Sequence, residues 1–457
     1  MDHGYSVHEV LNRAPLSRFH YRALVTAGMG FFTDAYDLFI IGMALVLIRP
    51  AWHLGDWQVG LLGSATLLAS FAGAVGFGRL ADRWGRKRIY GVEAAIMAGA
   101  ALATACAPNF WWLLAFRLLL GLGVGGDYPV SAVIMSEYAN ARDRGRLVGM
   151  VFAMQAAGLV VGPLVALALF GAGVPTDFAW RVMLGLGAVP ALAVIGLRRQ
   201  LPESPRFVAR VRGDVEAAAQ AVERVSGGVL RVVGGEGLRV ERRLRDYLRV
   251  LVGTAGCWFL FDYAYYGNTI ATPVILRWVA PHASLITETW WTLALFAGAA
   301  LPGYVLAFST MDRVGHRRLQ RWGFVAMALA FAVLAAVPGL TTAAAPFLTL
   351  YGLSYFFAEF GPNTTTFVLA AEVFPVNLRA TGHGLSAGVA KLGAFLGVFL
   401  FPILAAHLDL AANLAVCAGA AAAGALLTGI LPEPAGRALE EVAGEEAALR
   451  RIERVGA

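Results

Sequence analysis

The chain has 457 residues, 58% hydrophobic and 15% charged, with a mean hydropathy of +0.65 and a formal net charge of +7. That apolar excess excludes an ordinary soluble domain or a disordered chain and marks an integral membrane protein embedded in a lipid bilayer. The positive balance follows from topology and calls for no nucleic-acid partner.

Crossing about 30 Å of hydrocarbon takes roughly 20 apolar residues per helix. Twelve such segments begin near residues 22, 58, 89, 110, 147, 180, 250, 289, 320, 345, 380 and 410. The expected fold class is an all-α membrane protein with twelve transmembrane helices. Polar residues without a small-residue cleavage site precede the first segment, which reads as a span and not as a removable signal. With the N-terminus in the cytoplasm, most Lys and Arg residues are cytoplasmic. Arg49, Arg181 and Arg277 lie outside, and Arg117 and Lys391 fall within helices. Both termini are then expected inside. Cys106, Cys257 and Cys417 are scattered through apolar helices and read as packing residues, and the histidines show no ligand spacing. No metal or other cofactor is expected.

The spans divide into two sets of six. Residues 1–199 form the expected N-terminal bundle, 200–249 a charged cytoplasmic linker with a surface helix over Asp214–Val225, 250–432 the C-terminal bundle, and 433–457 a cytoplasmic tail. The halves repeat at a nearly constant offset. Asp82 and Arg86 in the loop Gly78–Arg88, after the second span, have a degraded copy at Met311–Arg318 after the eighth, with Asp312 in the place of Asp82. Glu137 and Arg144 after the fourth span recur as Glu372 and Arg379 after the tenth, and Pro202-Glu203 and Pro432-Glu433 close the sixth and twelfth. Parallel six-helix repeats are the organisation of transporters whose site lies between the halves near mid-membrane.

Several ionisable side chains fall inside spans, where they are expensive and by default mark a functional cavity. In the first span Asp34 and Asp37 share one face; they are either polar residues at a water-accessible helix end or carboxyl groups able to carry protons. In the fourth, Arg117 and Tyr128 are three turns apart on one face, with Asp127 about 100° round from Tyr128. Arg117 stays charged when buried and is expected to hold a carboxylate. Gly121, Gly123 and Gly126 match a dinucleotide fingerprint only literally, since no strand precedes them, and read as a packing face. Pro129 is expected to kink this helix. Gln155 in the fifth span is an interhelical hydrogen-bonding group or a site residue.

Trp258, Asp262 and Tyr266 form an i, i+4, i+8 stripe in the seventh span, a carboxylate between two aromatic donors. In the tenth, Asn363-Thr-Thr-Thr366 follows Gly361-Pro362, where a broken helix would free amides and hydroxyls for an anion. Lys391 sits deep in the otherwise uncharged eleventh span and needs an anionic partner, either Asp262 or a bound ligand.

The loop Gly78–Arg88 and the six-plus-six layout resemble the major facilitator superfamily. Phe32-Thr-Asp-Ala-Tyr-Asp-Leu-Phe39, Gly125-Gly-Asp-Tyr-Pro-Val-Ser131, Trp258-Phe-Leu-Phe-Asp262 and Phe360-Gly-Pro-Asn-Thr-Thr-Thr-Phe367 are similar to the proton-coupled phosphate symporters of fungi and plants. The resemblance implies a substrate site of Tyr128, Gln155, Trp258, Asp262, Tyr266, Asn363 and Lys391. It implies a proton route through Asp34, Asp37, Glu93, Arg117, Asp127 and Asp262. Gating by ion pairs among Asp82, Arg86, Glu137, Arg144, Asp312, Glu372 and Arg379 is also implied. The expected function is import of inorganic phosphate in symport with protons, by a monomer in the plasma membrane. The alternatives are symport of another small organic anion or a sugar, or a non-transporting phosphate sensor. An enzyme is not expected, because no nucleophile–base pair, metal cluster or nucleotide loop is present.

Overall fold

The computed structural model describes residues 6–226, 241–341, 343–407 and 409–445. The linker stretch 227–240 and the tail beyond 445, expected above to be cytoplasmic, lie outside the described residues. Among the described residues the regular structure is entirely helical.

Among the described residues, nine helices are long and apolar enough by themselves to cross a membrane. They are the first, Arg18–Ala51; second, Asp56–Trp84; fourth, Phe110–Tyr138; fifth, Arg144–Gly171; sixth, Thr176–Gln200; eighth, Leu285–Val314; ninth, His316–Ala336; eleventh, Arg379–Phe401; and twelfth, Leu410–Ile430. Three more complete the twelve. The third, Val92–Ala105, has 14 residues and rises only about 21 Å. The seventh, Leu248–Ile270, is diluted by Arg249, Asp262, Asn268 and three tyrosines. The tenth is broken between Ala344–Ala358 and Thr364–Glu372 by a π-helical turn, Glu359–Asn363, with Gly361 at φ −114°, ψ −106°. Pro362 cannot donate a main-chain hydrogen bond, which explains a break at this point. Pro129, by contrast, leaves the fourth helix continuous.

The helix starts lie close to those read from hydropathy, because caps and loops fall where polarity returns. Asn109 accepts from Trp111 N and Trp112 N at the head of the fourth helix, and Asp409 caps the twelfth through Ala412 N.

The repeated Pro-Glu pairs have a structural role. After Gly85, held at φ +102°, the Glu203 carboxylate accepts from Arg86 N and Lys87 N; after Gly315, at φ +99°, Glu433 accepts from His316 N and Arg317 N. In each half, an acid following the sixth or twelfth helix caps the helix start after the second or eighth.

The halves meet where small residues allow backbones to touch. Gly78 of the second helix and Gly384 of the eleventh lie against each other's main chains, so that a Cβ on either would strike backbone. The glycines of the fourth helix do form a packing face: Gly121 and Gly125 lie on the second helix, Gly123 on the third. Near its start, the eleventh helix meets the loops that carry the linker; its far end lines a cleft of about 540 Å³ among Gly42, Leu45, Arg49, Arg277, Trp278 and Phe401. These two ends are called the linker face and the opposite face.

Candidate functional site

Lys391 lies about midway along the eleventh helix, between Arg379 at the linker face and Phe401 in the cleft, so it is near the middle of the bundle. Its ammonium is buried and fully caged. Nζ lies 2.9 Å from Asp262 Oδ2 and 3.1 Å from Tyr266 Oη, and it sits 4.3 Å and 4.6 Å from the ring centres of Tyr266 and Tyr128. Ion pair, hydroxyl and two π faces together compensate a charge that lipid could not solvate. Tyr266, and not its neighbour Tyr265, points to the lysine; Tyr265 stacks on Phe261.

A hydrogen-bond chain runs from this cage into both halves. Gln155 Nε2 donates to Tyr128 Oη at 3.2 Å, Tyr304 Oη donates to Gln155 Oε1 at 3.1 Å, and Asn363 Nδ2 donates to Tyr304 Oη at 2.8 Å. Trp258 closes the side, 5.9 Å from the Tyr128 ring. All seven residues expected at a substrate site therefore converge. The threonines after Asn363 do not join them: Thr364, Thr365 and Thr366 each donate to a backbone carbonyl about one turn earlier, and Thr365 also shares its proton with Gln320 Oε1 of the ninth helix, so their hydroxyls are already engaged.

A second polar cluster lies within the first six helices. Arg198 Nη1 is 2.6 Å from Glu93 and Nη2 is 2.8 Å from Asp127, and the guanidinium stacks on Tyr90 at 4.5 Å. Gly30 gives this pair room, since a Cβ there would strike Asp127 and Arg198. Asp34 lies between the two clusters: its electrostatic neighbours are Asp127, Arg198, Asp37 and Lys391, and neither of its carboxylate oxygens has a hydrogen-bond partner. Arg117 departs from the expectation that it clamps a carboxylate. Its Nη1 donates to the main-chain oxygen of Asp37 at 3.0 Å, while the Asp37 carboxylate faces Gly187.

Arg198 corrects the sequence reading. It is not among the residues expected at a site, yet it is completely buried while adjacent Arg199 is exposed. Nothing in an Arg-Arg pair at a helix end tells the two apart. Sequence reasoning also misses Tyr304 and Glu359, although an acid in the apolar stretch Tyr355–Gly361 is a signal by the same rule applied to Lys391.

Aromatic layers bound the site. Toward the linker face, Phe367 stacks on Phe152 at 4.4 Å and meets Phe31, Trp258 and His383 edge-on. Toward the opposite face, Phe39 stacks on Tyr266 at 5.5 Å and contacts Phe296.

Beyond Phe367 the two halves are tied by ion pairs and capped amides. Arg86 and Arg379 both bind Glu137, at 2.9 and 3.0 Å. Arg144 binds Glu372 at 2.9 Å, and His316 bridges Glu372 and Asp312. Asp82 accepts from Ala380 N and Thr381 N, and Asp312 from Arg146 N. All seven loop residues expected in a gate thus fall into two clusters, each crossing between the halves: Asp82, Arg86, Glu137 and Arg379 in one, Arg144, Asp312 and Glu372 in the other. A further tie joins Arg206, Asn12 and Glu440, with Arg210 on Glu445. Burial opposes ionisation of Glu440, but the Arg206 guanidinium prevails and holds its carboxyl below the usual range.

A family model for the major facilitator superfamily matches residues 27–398. The chain belongs to the major facilitator superfamily. Within the superfamily it is 36% identical to "Inorganic phosphate transporter 1-6" of Oryza sativa subsp. japonica, over 96% of this chain and 95% of that protein. It is 34% identical to "Probable inorganic phosphate transporter 1-6" of Arabidopsis thaliana, over 96% of both. Among solved structures, the proton:xylose symporter XylE superposes with a TM-score of 0.78 over 93% of this chain and 98% of that one, at 19% identity. That likeness concerns the fold: twelve helices in two six-helix repeats.

Proposed function

We propose that this superfamily member imports inorganic phosphate together with protons by alternating access. The observation that carries the reading is the Lys391 cage. A single buried cation is held by an acid that can be protonated, and it is ringed by neutral donors suited to a tetrahedral oxyanion, in a chain whose relatives bear the name of phosphate transporters.

The physical requirement is charge. An anion entering a cell held 100 mV negative is opposed by about 2.3 kcal/mol per elementary charge, so accumulation needs accompanying protons. While Asp262 is ionised, Lys391 is neutralised and the site repels phosphate. Protonation of Asp262 releases Lys391 to the anion, with Tyr128, Gln155, Trp258, Tyr266 and Asn363 supplying hydrogen bonds. Asp34, Asp37, Glu93, Arg117 and Asp127 conduct protons along the first half. The linker-face network is the inner gate, closed here, and the cleft on the opposite face is the outer approach. In this reading the protein spans the plasma membrane as a monomer with both termini cytoplasmic. Its working parts are the bundles 1–199 and 250–432, joined by the linker 200–249 and followed by the tail 433–457.

Uptake of radiolabelled phosphate into proteoliposomes with an imposed pH gradient tests the proposal. Proton-driven accumulation competed by arsenate, and not by sugars or carboxylates, is the expected result; no accumulation, or competition by a sugar, overturns it.

A further inference from the structure

Glu359 is a buried acid that the mechanism above leaves unused. It lies in the π-helical turn of the tenth helix, where the broken ladder aims it at the site. Its Oε2 accepts from Asn363 Nδ2 at 2.5 Å, and Oε1 has no hydrogen-bond partner. Gly303 of the eighth helix packs directly on its Cβ. The polar groups facing it are Tyr265 of the seventh helix, Tyr304 of the eighth and Tyr355 earlier in the tenth. The ninth helix packs Leu319 and Gly323 against the turn, and its Gln320 accepts from Thr365 Oγ1 through Oε1 and donates to Thr428 through Nε2. Among the described residues no Lys, Arg or His lies within ion-pair distance of Glu359. A carboxylate in that position has no countercharge, unlike Asp262, Glu93 and Asp127.

Asn363 connects this acid to the substrate site. An amide nitrogen has two hydrogens. One of Asn363's is on Glu359 and the other on Tyr304, so neither is available to an anion. We propose that Glu359 is a second coupling carboxyl, whose protonation releases the Asn363 amide to the bound oxyanion. The proton comes from water on the outer side and leaves with the substrate to water on the inner side. When Glu359 is ionised it competes with phosphate for the same N–H; when it carries the proton it is a weaker acceptor, and its O–H can turn to Tyr304 or Tyr265. The proposal rests on the transport reading above and adds one proton to it, on the half that otherwise carries only Asp262.

The test uses the full chain. Equilibrium binding of radiolabelled phosphate is measured against pH for wild type, Glu359→Gln, Glu359→Asn and Glu359→Asp, with the proton-to-phosphate ratio taken from flux reversal in proteoliposomes. Loss of one linked proton flattens the slope of log Kd against pH by about one, tenfold per pH unit. Glu359→Gln is expected to show that flattening, to bind phosphate more tightly than wild type at alkaline pH, and to carry one proton fewer per phosphate. Glu359→Asn gives the same reading should the glutamine variant fail to fold, and Glu359→Asp, which keeps a carboxyl, retains the wild-type slope. Phosphate's own titration is common to all four. An unchanged slope and ratio in both amide variants overturns the assignment of Glu359 while leaving phosphate symport standing. A wild-type protein that moves no phosphate overturns the transport reading itself.

Discussion

Lys391 Nζ and Asp262 Oδ2 lie 2.9 Å apart although they belong to different helices far apart in sequence, with both side chains buried from solvent. Such a pair is hard to break by removing one member and easy to reorganise by protonating one. Asp262→Asn should therefore still bind phosphate, with the slope of log Kd against pH flattened by about one and one proton fewer carried per phosphate. Lys391→Gln, which leaves a bare carboxylate, should abolish uptake and cost about 3–5 kcal/mol of stability. Proteoliposome flux and thermal unfolding in detergent measure the two effects; an unchanged pH slope and proton-to-phosphate ratio in Asp262→Asn would refute the coupling role.

Arg198 holds Glu93 and Asp127 together, with all three side chains buried. Arg198→Gln should destabilise the protein by about 3–5 kcal/mol, because two acids are left facing each other. Glu93→Gln/Asp127→Asn in the same chain should restore much of the loss. Arg199→Gln, on exposed Arg199, should change stability by no more than about 0.5 kcal/mol. Equal melting shifts for the two arginine variants would contradict the buried pairing.

The linker-face network should set how often that side opens. In an otherwise reactive-cysteine-free background carrying Thr381→Cys, the variant Arg144→Gln should be labelled faster by a thiol reagent supplied from the linker side. Arg49→Gln, which breaks an exposed pair with Asp56 on the opposite face, should not change the rate. Identical labelling in all three proteins would show that the Arg144–Glu372 pair does not latch the halves.

Glu440 makes a separate prediction about pH. Its carboxyl is held below the ordinary range in the folded protein, so the stability it contributes is complete above that range and is lost only as pH falls through the depressed folded value. The tie to Arg206 therefore stays intact across the mildly acidic to alkaline range in which uptake is driven. Glu440→Gln should lower the unfolding temperature at neutral pH and leave the slope of uptake against pH unchanged. A flattened uptake profile would place this acid in proton coupling instead.

Hydropathy located the start of each of the twelve spans, nine of which, among the described residues, are long and apolar enough on their own to cross a membrane, and repetition of Asp82, Glu137, Arg144 and Glu203 at nearly one offset by itself revealed the two halves. Lys391 and Asp262 stood out for the same reason: a charge inside an apolar run is costly wherever it faces. What sequence could not decide was direction and partnership. Arg198 and Arg199 are neighbours of equal chemistry, yet helix rotation buries one between Glu93 and Asp127 and leaves the other in the open. Arg117 meets a main-chain oxygen instead of a carboxylate, and the hydroxyls of Thr364–Thr366 turn back on their own helix, because hydrogen-bond geometry is settled by which helices pack together. Glu359 and Asn363 stand four residues apart, a spacing that already puts them on one helix face; that their pair sits unneutralised beside Tyr304 and Tyr265 depends on what the seventh, eighth and ninth helices place around the turn.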